Sequence, residues 1–120
     1  SGTYNWNAAA NWTPNSGFPN AAGCTANLTN NIAGVVSNAL GQTVTVGVLN
    51  LGDADGTHPY IITSTSAEPS LVFNNDGDVA QLNQTSTTKG DTIAASLWLA
   101  GPLNINLAAS GSISSIIVVR

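Results

Sequence analysis

Short stretches of alternating apolar and polar residues, punctuated by glycine, asparagine and aspartate, run along most of the chain. Leu103-Asn104-Ile105-Asn106-Leu107 is the clearest. Alternation with period two is the mark of a half-buried strand, because successive side chains point to opposite faces. It predicts strands over Cys24–Thr29, Thr43–Val46, Val48–Leu51, Tyr60–Thr63, Leu71–Phe73, Val79–Leu82, Thr92–Leu99, Leu103–Leu107 and Ile113–Val119. Between them, Gly52-Asp53-Ala54-Asp55-Gly56, Asn74-Asn75-Asp76-Gly77-Asp78, Lys89-Gly90-Asp91 and Gly101-Pro102 read as turns.

The strands recur. Leu49-Asn50-Leu51, Leu71-Val72-Phe73 and the stretch from Ile93 begin about 22 residues apart, dividing Val46–Glu68, Pro69–Gly90 and Asp91–Ser112 into three similar units. A unit of that length with several strands and no helix suits one coil of a parallel β-helix, whose coils bury their inward side chains only by stacking. The expected fold is an all-β, short parallel β-helix (β-solenoid) of three to four coils. The alternative is a β-sandwich with strand exchange between subunits, since hairpins give similar spacing.

Composition strengthens the all-β reading. The 120 residues are 42% apolar but only 7% charged, against about 25% charged in an ordinary soluble domain. Asn, Ser, Thr and Gly supply the polarity, and all are poor helix formers. The chain is one domain, residues 1–120, with an N-terminal cap region over 1–23 and a strand-repeat region over 24–120. The net charge is −4, and Lys89 and Arg120 are the only cations. That excludes nucleic-acid binding, which needs several cations against phosphates, and binding to anionic lipid. No apolar run approaches the roughly 18 residues that cross a membrane as a helix. Scarcity of Lys and Arg removes most sites for trypsin-like proteases, as suits an extracellular or cell-surface protein. The start at Ser1, with no signal segment, fits a processed chain or a fragment of a longer one.

Residues 1–23 differ from the rest. Thr3-Tyr4-Asn5-Trp6-Asn7-Ala8-Ala9-Ala10-Asn11-Trp12-Thr13, then Pro19, then Val48-Leu49-Asn50-Leu51-Gly52-Asp53 resembles the start of passenger regions in autotransporter-like bacterial surface proteins. The resemblance covers most of Ser1 to Asp53. It implies a secreted right-handed parallel β-helix and brings no catalytic residues with it. Such passengers run much longer than this chain and end in a membrane-anchoring barrel, which puts that export route in doubt. Trp6 and Trp12, with Tyr4, Phe18, Pro14 and Pro19, would plug the first coil. Exposed instead, the two indoles would form a platform for sugar rings.

Little else points to chemistry. His58 and Cys24 are the only histidine and cysteine, too few for a zinc site, and no nucleophile-elbow motif accompanies His58. Cys24 is expected to be a small buried apolar residue. Asp53, Asp55, Asp76 and Asp78 form two pairs about 22 residues apart, which in a solenoid would stack at roughly 5 Å. With Asn74 and Asn75 they would offer oxygens for calcium, although the full calcium-loop motif is missing and plain turn formation is the favoured reading of these residues. Three glycosylation sequons, at Asn11, Asn27 and Asn83, are no more than chance gives among the asparagines. No catalytic residue and no cofactor is expected, so the chain reads as a non-enzyme.

The ends differ. Ile113, Ile116, Ile117, Val118 and Val119 form an uncharged β-branched run before Arg120, an edge that invites association unless covered. The expected role is an extracellular structural protein, a self-assembling surface or filament subunit forming a homopolymer. The alternative is a carbohydrate-binding adhesin module with a glycan partner.

Overall fold

A computed structural model describes residues 2–64, 70–85, 90–108 and 111–115 of the chain. The alternating segments form twelve strands: β1 (Gly2–Asn5), β2 (Thr25–Leu28), β3 (Val36–Leu40), β4 (Val44–Val46), β5 (Val48–Leu51), β6 (Tyr60–Ser64), β7 (Ser70–Phe73), β8 (Ala80–Gln84), β9 (Asp91–Ala94), β10 (Ser96–Leu99), β11 (Leu103–Asn106) and β12 (Ile113–Ser115). A single 3-10 turn, Ala9–Asn11, is the only helical element among the described residues.

The strands make three sheets, ordered β1-β3-β6-β9-β12, β10-β7-β4 and β11-β8-β5-β2. Every pairing between them is parallel. From β3 onward the chain visits the sheets in a fixed rotation, so each strand pairs with the one three places later. In the first turn of the chain, residues 20–24 take the place of a strand above β4. The Ala21 N–H donates to the Thr45 carbonyl at 2.9 Å, and the Thr45 N–H donates to Asn20 Oδ1 at 2.8 Å. A hairpin-built sandwich would give antiparallel ladders. Among the described residues the one antiparallel pairing is an isolated bridge, Asn75 with Asp78.

Register carries inward side chains into rows. Ala26, Leu49 and Leu82 continue one another on one sheet, Val44, Leu71 and Leu97 on the second, and Ile62 and Ile93 on the third. All are buried, together with Leu40, Val46, Leu51 and Phe73, in one core cluster. Each large member is worth about 1.5–3 kcal/mol of removed apolar surface.

The expected period of 22 does not describe this arrangement. Leu49, Leu71 and Ile93 share that spacing but lie on β5, β7 and β9, which belong to three different sheets. Partner offsets run from 22 residues, Asp91 to Ile113, to 34, Gly2 to Val36. The corners cause this. Gly47 alone separates β4 from β5, whereas residues 52–59 separate β5 from β6. A Cβ on Gly47 would lie 2.8 Å from the Gly23 Cα, so the tightest corner admits only glycine.

Other expectations are corrected in detail. The predicted strand Thr92–Leu99 is two, β9 and β10, parted at the buried Ala95. The cap region contains β1, and β3 was not anticipated. Cys24 is half-buried against the core, its thiol directed to the Thr45 carbonyl at 3.6 Å.

Candidate functional site

Trp6 and Trp12 come together just after β1. Trp6 is fully buried in the core, and Trp12 and Phe18 pack partly buried against it. The two indoles meet edge to face, centroids 4.9 Å apart at 61°. Both ring N–H groups are satisfied locally: Trp6 Nε1 donates to the Pro19 carbonyl at 2.9 Å and Trp12 Nε1 to the Trp6 carbonyl at 2.8 Å. Trp6 therefore cannot serve as a platform, and Tyr4, at 42% exposure, is not part of the plug.

The plug leaves one corner open. A cleft of about 360 Å³ lies where β1 and β3 meet β2, lined by Tyr4, Trp12, Asn27, Asn30, Ile32 and Asn38 among others. A second, of about 410 Å³, adjoins it on the cap side and shares Asn11, Trp12, Asn27 and Asn30. Asn38 points inward on β3, is 7% exposed, and its Nδ2 has no partner among the described residues. A buried amide left unpaired costs about 1–3 kcal/mol.

The aspartate pairs separate. Asp53 and Asp55 sit on the corner from β5 to β6, Asp76 and Asp78 on the corner from β7 to β8, so the expected stacking does not occur. Asp76 (φ 54°) and Gly77 (φ 93°) are the two central residues of a tight turn closed by the Asp78 N–H on the Asn75 carbonyl at 3.0 Å.

Asp53 is buried and ringed by donors. Oδ1 accepts from the Ile32 N–H at 3.0 Å; Oδ2 accepts from the N–H groups of His58 at 2.9 Å and Thr57 at 3.1 Å, and from the Thr57 hydroxyl at 3.3 Å. With its amide nitrogen turned to the carboxylates, Asn31 adds a bond to each aspartate. Burial pushes the Asp53 carboxyl up, but the Ile32 and His58 amides, the Asp55 hydrogen bond and the Thr57 amide hold it far below the usual range. Asp53, Asp55 and His58 offer ligand atoms within 4.8 Å of one another. The lone pairs of Asp53 are already spent on donors, however, so this geometry ties residues 31–32 to the corner from β5 to β6 more readily than it coordinates a cation.

The next corner is tied in the same way. Asp91, 1% exposed, accepts from the Tyr60 N–H at 2.8 Å and from Gln84 Nε2 at 2.7 Å. Gln84 also donates to the Ser112 carbonyl at 2.9 Å and accepts from the Ala108 N–H.

The feature sequence reasoning missed is an asparagine ladder on the outer face of the β2-β5-β8-β11 sheet. Asn50 Nδ2 donates to Asn27 Oδ1 at 2.8 Å, Asn83 Nδ2 to Asn50 Oδ1 at 3.0 Å, and Asn106 Nδ2 to Asn83 Oδ1 at 2.8 Å. Its signal was the recurrent apolar-Asn-Leu or apolar-Asn-Gln triplet, hidden by spacings of 23, 33 and 23 residues.

No counterpart is found. No family model, curated protein or solved structure matches the chain.

At the far end, two inward positions among the described residues are open to solvent. Ile105 continues the inward row of Leu49 and Leu82, yet it is 53% exposed, as is Leu107, whereas Leu82 is 2%. Of the predicted association run, Ile113 is half-buried on β12; Ile116, Ile117, Val118 and Val119 lie outside the described residues.

Proposed function

We propose that this chain is a structural, non-catalytic module: a short parallel β-helix, plugged at its N-terminal end and open at its C-terminal end, that assembles through the open end. The pairing of each strand with the one three places on supports the β-helix reading. The single observation that carries the assembly is the contrast between ends: Ile105 and Leu107 stand half in water in inward positions, while at the other end Trp6 is fully buried. An exposed inward row is satisfied by further β-structure, and this proposal assigns that role to a second copy of the chain.

One plugged end favours a closed pair, open end against open end, over an endless filament. An extracellular or cell-surface setting belongs to the same proposal, and the two lone cations and sparse charge support it. Burying the exposed halves of Ile105 and Leu107 contributes about 1 kcal/mol per side chain. Sedimentation equilibrium on the whole chain should show concentration-dependent dimerisation that Ile105→Lys with Leu107→Lys abolishes while far-UV circular dichroism stays unchanged. A wild type that stays monomeric at the highest soluble concentration defeats the assembly proposal.

A further inference from the structure

The open corner beneath the cap has the makings of a ligand site. Its two clefts are contiguous through Asn11, Trp12, Asn27 and Asn30, and volumes of about 360 and 410 Å³ fall within the range of small-molecule sites. The walls are of two kinds. Trp12 and Tyr4 offer aromatic surface, with Leu28, Ile32 and Val36 below them. The side-chain amides of Asn11, Asn27, Asn30, Asn31 and Asn38 also line the corner, although the Asn11 nitrogen is spent on the Asn5 carbonyl and the Asn31 nitrogen on Asp53 and Asp55. No charged side chain lines either cleft among the described residues.

Two amides have unused donors there. Asn38 Nδ2 is buried and unpartnered. Asn27 accepts from Asn50 through Oδ1, which leaves its Nδ2 without a partner among the described residues at the top rung of the ladder. Trp12 is already fixed in orientation by its bond to the Trp6 carbonyl and its edge contact with the Trp6 ring, so little ordering is left for a ligand to impose.

We propose that this corner binds a neutral oligosaccharide, with pyranose rings against Trp12 and Tyr4 and hydroxyls on the Asn27, Asn30 and Asn38 amides. Each hydroxyl both donates and accepts, as these amides do, and sugar C–H faces suit an aromatic wall. The absence of charge among the lining residues selects a neutral glycan over an acidic one. Two clefts flanking one indole select a chain of rings over a single sugar. The site is independent of the open-end assembly, since it lies at the opposite end of the fold.

The test is tryptophan fluorescence and calorimetric titration of the whole chain with cellotetraose, maltotetraose and chitotetraose, each at up to millimolar concentration. At least one should bind saturably. Trp12→Phe keeps the plug packed and should weaken that binding about tenfold or more. Asn38→Leu removes the orphaned amide, so it should raise the melting temperature while weakening binding by a similar factor. These opposite signs separate a ligand contact from a merely structural role. The proposal is overturned if none of the three probes binds, if both variants bind like wild type, or if an uncharged extended peptide displaces the sugar and binds more tightly.

Discussion

Replacing Gln84 with leucine would place a third leucine in the inward row that register already builds from Leu28 and Leu51. Pattern alone calls this an improvement, and the structure says otherwise. The amide of Gln84 makes a 2.7 Å bond to the buried Asp91 carboxylate and a 2.9 Å bond to the Ser112 carbonyl, and it accepts from the Ala108 N–H at 3.3 Å. A bond to a buried charged group contributes about 1.5–3 kcal/mol and a neutral one about 0.5–1.5 kcal/mol. The loss therefore comes to about 4 kcal/mol, against about 2 kcal/mol returned by a buried leucine. Gln84→Leu is expected to cost about 2 kcal/mol, or roughly 8 °C in melting temperature for a chain of this length.

Thermal and urea unfolding followed by far-UV circular dichroism measure this directly. The double variant Gln84→Leu with Asp91→Ala should cost at least about 1 kcal/mol less than the two single losses added together, because removing both partners leaves no orphaned charge. A Gln84→Leu protein that melts at or above wild type would refute the reasoning. So would strict additivity of the pair. Either result would mean that the corner is held by packing rather than by its polar bonds.

Two further outcomes are expected. Asn50→Ala breaks two rungs of the ladder and should destabilise by about 1–2 kcal/mol in urea, about twice the effect of Asn27→Ala, which breaks one; equal effects would argue against a ladder acting in series. Acidification should also destabilise the protein, because the folded-state affinity of Asp53 for a proton lies well below its unfolded value. Its contribution is complete above the ordinary carboxylate pKa of about 4 and drains away as pH falls below that. Asp53→Asn should accordingly flatten the acid limb of a plot of melting temperature against pH, and an unchanged acid slope would remove Asp53 from the account.

Strand existence was readable wherever apolar residues alternate without interruption. Val48–Leu51 is β5 to the residue, and Leu103–Leu107 differs from β11 only at its end. β3 was passed over because Asn38 occupies an inward position in it, so that Val36-Ser37-Asn38-Ala39-Leu40 shows just two large apolar residues. The role of Gln84 was hidden for the same reason: a polar residue in an inward position looks like a break in the pattern until its partners are known. Those partners, Asp91 and Ser112, are 7 and 28 residues away. Of the candidate site, Trp6 and Trp12 were legible as a pair, but which of them faces solvent depends on the fold of residues 13–19 behind them.

The strands do line up in parallel rows, but not at a fixed period. A fixed period assumes corners of equal length, whereas here each corner is as long as its polar ties require. The corner from β5 to β6 is long because Asp53 gathers Ile32, Thr57 and His58 around one carboxylate; Gly47 and Ala95 form corners of a single residue. Register is instead marked by side chains that recognise copies of themselves. The ladder Asn27–Asn50–Asn83–Asn106 is such a mark, because a slip of one residue would turn every rung to the inside. The ladder also has a direction, since each Nδ2 donates to the rung before it. Among the described residues, its unused donor is therefore on Asn27, a residue that lines the clefts beneath the cap, and its unused acceptor is on Asn106, beside Ile105 and Leu107. If both proposals hold, a sugar hydroxyl accepts at the first and the strand of a second copy donates at the second, so the two ends of one ladder would meet two different partners.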